Sequence, residues 1–267
     1  MVTAGVAPNT ECGDNMIVLA CYNVKGGVGK TSAAVNLAYL ASQNGYRTLL
    51  WDLDPQGAAT FYLRSEPSSA LALETLLDKQ RGIETLVRAT DYPRLDVLPA
   101  SLDYRHLDLT LAEFKKPTRR LAKLVTPIAA AYDVLFLDCA PSLSMTAENV
   151  FALADWVLVP MIPTTLSVRA YEQLVNYWRG ENASRERLLP FFSMVDRRRQ
   201  MHCTIVSEFA VTHPEVLRSY IPYTSLVERM GEHRSPLMAF AAASPGARAF
   251  AALWNNLCER IAIPPSH

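Results

Sequence analysis

The stretch Asn23-Val24-Lys25-Gly26-Gly27-Val28-Gly29-Lys30-Thr31-Ser32 gathers the residue types that hold a phosphate chain. Glycines let the backbone curl until its N–H groups face an anion, and a helix opening at Lys30 adds the positive end of its dipole. In such a loop Lys30 reaches the β- and γ-phosphates and the Thr31 hydroxyl ligates Mg²⁺. A glycine-rich turn alone binds nothing. Here an apolar strand precedes it and a helical pattern follows, which is the context the motif requires. Gly26, Gly27, Val28, Gly29, Lys30, Thr31 and Ser32 are therefore the candidate nucleotide-binding residues.

Two further loops carry carboxylates. Asp52-Leu53-Asp54-Pro55-Gln56-Gly57 follows the apolar Leu49-Leu50-Trp51. Two acids at the carboxyl end of a strand suit a magnesium shell and a water to be oriented, although the string alone fits an Asp-Pro turn equally well. Val134-Leu135-Phe136-Leu137 runs into Asp138-Cys139-Ala140-Pro141-Ser142. Asp138 falls where a carboxylate holds Mg²⁺ through a water. Thr31, Asp52 and Asp138 are thus the candidate metal residues, and Cys139 reads as a small filler.

The elements that must position these loops follow from the alternation of short apolar runs with longer amphipathic ones. The pattern predicts strands over Met16–Tyr22, Arg47–Asp52, Leu95–Leu98, Val134–Asp138, Trp156–Pro160, Leu189–Val195 and Ser219–Ile221. It predicts helices over Lys30–Gln43, Asp103–Phe114, Thr118–Tyr132, Thr146–Ala154, Ser167–Glu181, Met201–Thr212 and Pro245–Ile261, with Gly45 closing the first. Apolar strands separated by helices argue an α/β fold: a mostly parallel sheet with helices on both faces, P-loop NTPase-like. Residues 1–14 read as a flexible tail and 15–267 as a single domain. In such sheets ligands sit outside the carboxyl ends of the strands, where all three loops fall.

Composition narrows the partners. With 26 Lys plus Arg against 26 Asp plus Glu, the net charge is zero, so a uniformly basic nucleic-acid binder is excluded and only a local patch remains. Half of the 267 residues are apolar, enough to bury a large core. No apolar run is long enough to span a bilayer. The opening residues lack the blocks of a signal peptide, and the five cysteines show no metal-like spacing. These features predict a reduced, cytoplasmic chain without a structural metal.

The phosphate loop departs from the plain form in one place: Val24 stands where the first glycine is usual, and Lys25 opens the loop instead. This K-G-G-V-G-K-T string is the deviant Walker A motif, and with it the chain resembles the ParA/MinD family of ATPases. Asp52-Leu53-Asp54-Pro55-Gln56-Gly57 matches that family's DxDPQG switch, and Asp138 stands at its Walker B position, with Ala140 a mild variant. Ala154–Pro160, Ser193–Arg199 and Ile221-Pro222-Tyr223 look like further landmarks, so the resemblance covers nearly all of Met16–Ile261. It implies ATP and Mg²⁺ as cofactors, with Lys25, Lys30 and Asp54 catalytic. Lys25 would reach the nucleotide of a partner subunit across an ATP-dependent homodimer, and Asp54 would position the attacking water. Pro222 would lie near the adenine. The absence of a preceding helix-turn-helix extension matches the short ParA form.

That form also implies non-specific DNA binding, a ParB-like or adaptor protein that stimulates the ATPase, and a nucleoid-associated cargo. The cargo could be a plasmid, a chromosome or a protein assembly such as carboxysomes or chemoreceptor clusters. Arg197, Arg198 and Arg199 are the candidate DNA-binding residues, Arg198 at the position many relatives use. Four residues beyond Pro222, where the family often has another arginine, Leu226 stands, leaving Arg229 or Arg234 to take that place. A second basic run, Lys115, Lys116, Arg119, Arg120 and Lys123, is read first as a solvent face. The alternative is a MinD-like membrane-surface positioning ATPase, disfavoured by the Pro264-Pro265 ending. A ligase of the same superfamily is a third reading.

Overall fold

Uninterrupted apolar runs become the inner strands, because a strand covered on both faces has no polar side to alternate with. The computed structural model describes residues 16–68, 77, 82–180 and 185–263, so the tail assigned to residues 1–14 lies outside it. Its strands are β1 (Ile17–Cys21), β2 (Thr48–Asp52), β3 (Arg88–Ala89), β4 (Leu95–Leu98), β5 (Val134–Asp138), β6 (Trp156–Met161) and β7 (Leu188–Phe192). They pair in the order β3-β4-β2-β5-β1-β6-β7, and all pairs are parallel except the two-residue edge strand β3 against β4. Every residue of β2, β5 and β7 is buried.

Between the strands lie α1 (Lys30–Gln43), α2 (Ala58–Tyr62), α3 (Leu107–Ala112), α4 (Arg120–Val125), α5 (Met145–Leu153), α6 (Thr165–Gly180) and α7 (Gln200–Thr212). Three short helices follow, α8 (Ser225–Glu228), α9 (Met230–His233) and α10 (Leu237–Ala241), and then α11 (Pro245–Ile261). The pleat of β5 divides the core in two. Leu135 and Leu137 face Val150 of α5 and Tyr171, Leu174 and Trp178 of α6. Val134 and Phe136 face the opposite side, where Leu37 and Ala38 of α1 meet Phe250, Leu253 and Trp254 of α11. The expected α/β sheet with helices on both faces is what the chain forms.

The helices over Lys30–Gln43 and Pro245–Ile261 and the strands over Leu95–Leu98 and Val134–Asp138 fall where the pattern places them. Gly45, at φ 96°, ends α1 in the left-handed region that glycine tolerates. The helix expected over Thr118–Tyr132 is broken into 3₁₀ turns at Pro117–Arg119 and Thr126–Ala131 around α4. Pro127 lacks an N–H and its ring obstructs the carbonyl four residues earlier, so no α-helix runs through it. Asp103–Phe114 likewise divides into a 3₁₀ turn, Leu102–His106, and α3.

The strand expected over Ser219–Ile221 does not form. Only a single bridge joins Val195 to Pro222. Asn256 Oδ1 accepts the N–H groups of Arg218 and Ser219, and Pro222 has none to offer a ladder. The strand expected to reach Val195 stops at Phe192, since Met194 turns left-handed at φ 55°. The chain passes from β1 to β2 by skipping over β5, and this crossover sets the loops after β1, β2 and β5 side by side.

Candidate nucleotide site

The register delivers the acids and the glycine loop to one place. Asp138 at the end of β5 pairs with Cys21 of β1 on one side and with Asp52 of β2 on the other. The glycine loop is anchored behind: Asn23 is buried, donates to the Pro160 carbonyl (2.8 Å) and accepts the Lys25 N–H (2.9 Å). Gly27 and Gly29 have φ of 70° and 93°, which turns the backbone over on itself. Gly26 and Gly27 have open space on their Cβ sides, whereas a Cβ on Gly29 would stand 2.9 Å from Ser193 Oγ. Gly29 is also the N-cap of α1, and no side chain caps this terminus. Its first-turn N–H groups are therefore without a side-chain cap and suited to an anion.

Lys30 is 7% exposed, and its Nζ donates to the Lys25 carbonyl (2.9 Å). Burial pushes its pKa down, while Asp138 and then Asp54 act in the opposite sense. The hydrogen bond holds the ammonium inside the loop, where a phosphate would be. Lys25 is half-buried, and among the described residues its ammonium has no acidic partner.

The three acids have different surroundings. Asp52 is fully buried; its Oδ2 accepts from Thr60 N (2.8 Å) and Thr60 Oγ1 (2.7 Å), and its Oδ1 from Asp54 N (3.2 Å). Burial lifts its pKa to about 6 against these hydrogen bonds. Asp52, a candidate metal residue, has both oxygens accepting hydrogen bonds that fix the turn carrying Asp54 and the start of α2. Asp54 is half-buried and accepts the Gln56 N–H (2.9 Å). Asp138 is fully buried, and neither of its oxygens has a hydrogen-bond partner among the described residues. Burial first and then the Asp52 charge raise its pKa well above the ordinary carboxylate range, with the nearby Thr31 hydroxyl opposing. A buried carboxylate without donors, next to a hydroxyl, fits a divalent cation and is otherwise costly. Thr31 and Asp138 are thus the pair suited to Mg²⁺.

A cleft beside the loop is lined by Gly29, Ser32, Ser193, Pro222, Val227 and Glu228. Ser193 and Pro222 belong to the two segments, Ser193–Arg199 and Ile221–Tyr223, that look like landmarks in the sequence, and the fold brings them to one cleft with Val227 and Glu228. The arginines divide. Arg197, Arg198 and Arg199 are exposed after β7. Arg198 is held by Asp196, whose oxygens accept its Nε (2.9 Å) and Nη2 (3.0 Å), and this brings the Asp196 pKa down to about 2. Arg197 and Arg199 make no ion pair among the described residues, although the Arg199 charge also acts on Asp196. Arg229 pairs with Glu232 (3.1 Å), and the Arg234 guanidinium lies over Phe61. The five therefore form no single unpaired patch.

A parallel sheet with a glycine loop feeding a helix and carboxylates at adjacent strand ends defines a P-loop NTPase fold. A family model described as an AAA domain matches residues 16–187. The chromosome partitioning protein ParA of Myxococcus xanthus is 29% identical over 250 residues, covering 91% of this chain and 88% of that protein. A solved complex of a Cyanothece McdA variant with ATP shares the fold at TM-score 0.80 and 18% identity, covering 94% of this chain and 98% of the other. Cobyrinic acid a,c-diamide synthase of Mycobacterium smegmatis, with a bound ATP analogue and magnesium, is 26% identical at TM-score 0.77, covering 91% and 94%. The chain belongs to the AAA-domain family matched by that model and, within it, to the ParA/MinD ATPases.

Proposed function

We propose that this chain is a ParA-type partition ATPase. It hydrolyses ATP with Mg²⁺, forms a homodimer around the nucleotide and binds DNA without sequence preference. A ParB-like or adaptor protein stimulates hydrolysis, so that a cargo is positioned on the nucleoid. The observation that carries the reading is Lys30 and the Asp138 carboxylate buried together by the glycine loop, with the Thr31 hydroxyl beside Asp138. The Myxococcus relative's name supports the partition role.

In this reading the N–H groups at the start of α1 and the Lys30 ammonium bind the phosphate chain. Thr31 and Asp138 hold the cation, with the Asp52 charge behind them. Bound Mg²⁺ supplies charge neutralisation at the phosphate oxygens. Asp54 orients the attacking water, and Asp52 keeps Asp54 in place through its N–H. Lys25, without an acid of its own, is the group able to neutralise phosphates across a dimer interface. Pro222 and the cleft beside it would take the base.

The apolar face of α11, with Phe250, Leu253 and Trp254, is spent against α1 and the sheet. This supports DNA over a membrane surface as the docking partner. A net charge of zero leaves DNA binding to a local patch; Arg197, Arg198 and Arg199 are its exposed members, and of these Arg197 and Arg199 make no ion pair among the described residues. Retention on random duplex DNA should require ATP, with ADP giving little. Removing both arginines should flatten the slope of log affinity against log salt by roughly 0.9 for each phosphate that is no longer neutralised. Equal retention with ATP and ADP, or an unchanged slope, contradicts the DNA assignment.

A further inference from the structure

Arg64 and Arg234 close on each other across 170 positions of sequence. Arg64 Nε donates to the Arg234 carbonyl (3.0 Å) and its Nη2 to the His233 carbonyl (3.1 Å). In return Arg234 Nε donates to the Phe61 carbonyl (3.2 Å), and its guanidinium sits 4.6 Å from the centre of the Phe61 ring. Each guanidinium thereby bonds carbonyls at the end of the other's helix: Arg64 those of His233 and Arg234 after α9, and Arg234 that of Phe61 in α2, which also accepts the Arg64 N–H (3.1 Å). Both residues are left-handed, at φ 55° and 47°, an uncommon conformation outside glycine. Helices of five and four residues have no stability of their own, so such bonds decide where they lie.

The two clasped ends belong to different parts of the site. Helix α2 begins at Ala58, directly after the Asp54–Gly57 turn, and its Thr60 holds Asp52. On the other side, α8 contributes Val227 and Glu228 to the cleft beside Pro222. Helix α9 follows at once, with Met230 Sδ accepting from Asn36 of α1. The clasp therefore joins the turn carrying the water-orienting acid to the wall of the base cleft.

We infer that Arg64 and Arg234 are positioning residues for hydrolysis, setting the Asp54 turn in register with the cleft. The inference rests on the ATPase reading above and takes Arg234 out of the DNA surface. It uses the fork of arginine: lysine keeps the charge at each place and lacks the Nε donor.

Arg64→Lys, Arg234→Lys and the double variant are compared with the unaltered full chain in steady-state ATP hydrolysis. Backbone hydrogen exchange is measured in the nucleotide-free proteins. Each single change should lower kcat roughly tenfold, about 1.4 kcal/mol of activation free energy. KM for ATP should stay within about twofold, since ground-state binding is untouched. The double variant should fall no further than the singles, because one clasp is broken once. Exchange should rise over residues 57–63 and stay unchanged in the sheet. Unchanged kcat in both variants, or additive losses, overturns the inference. So does a joint loss of ATP affinity with a general rise in exchange, which marks a merely structural role. If the unaltered chain hydrolyses no ATP, the ATPase reading fails by itself, and unchanged exchange over 57–63 then overturns the clasp separately.

Discussion

Replacing Asp138 by Asn should stabilise the nucleotide-free protein while ending its response to Mg²⁺ and ATP. The unfolded carboxyl ionises near 3.8, whereas burial raises the folded pKa of Asp138 well above that and of Asp52 to about 6. Between those values the folded chain binds protons that the unfolded chain has released. Stability is therefore greatest at low pH and falls as pH rises through this window. For Asp52 alone, the move from 3.8 to about 6 corresponds to a loss of about 3 kcal/mol. A buried carboxylate without donors costs several kcal/mol, while an amide left without partners there costs about 1–3 kcal/mol. Asp138→Asn should thus gain about 2 kcal/mol near pH 8. For a domain of this size that raises Tm by roughly 4–8 °C. Thermal melts at pH 5 and pH 8, with and without Mg²⁺-ATP, read all of this. The unaltered chain should melt lower at pH 8 than at pH 5 and be rescued by Mg²⁺-ATP; the variant should show a flatter profile and little rescue. Lower stability of the variant at pH 8 without nucleotide would refute the reasoning.

Lys30→Ala should abolish measurable ATP binding by calorimetry, because the only buried cation described in the glycine loop is gone; wild-type affinity would remove the phosphate-loop assignment. Gly29→Ala places a side chain at φ 93°, costing about 1–2 kcal/mol, and presses a Cβ on Ser193 Oγ. It should lower Tm by roughly 2–8 °C and weaken ATP binding together. An unaltered melt and affinity would contradict the cradle geometry.

The strand–loop–helix layout around the glycines was legible because its parts are contiguous, and α1 starts at Lys30 as the pattern places it. Asp138 was legible because β5 is an unbroken apolar run ending in an acid. What sequence concealed was the division of labour among acids of equal type. Thr60, eight residues past Asp52, takes up its carboxylate, while Asp138 has only the Thr31 hydroxyl acting on it among the described donors. Nothing in the local string distinguishes them, because the difference lies in which neighbour folds back. Arg234 is a DNA candidate from its place after Pro222, and its guanidinium lies over Phe61, a contact that no local spacing announces. Pro127 was a visible breaker that an amphipathic pattern on both sides disguised. The cleft beside Pro222 draws on segments far apart in the chain, and no spacing could have assembled it.

The central claim is that ATP drives two copies of this chain together through the loop that Lys25 opens. Light scattering on the Asp54→Ala variant, which should bind ATP and hydrolyse it slowly, measures this directly. With Mg²⁺-ATP the molar mass should double from 29.6 kDa, and with ADP it should not. Adding Lys25→Gln to that variant should leave it monomeric with ATP still bound. A monomer at saturating ATP, or a dimer indifferent to Lys25, would contradict the account.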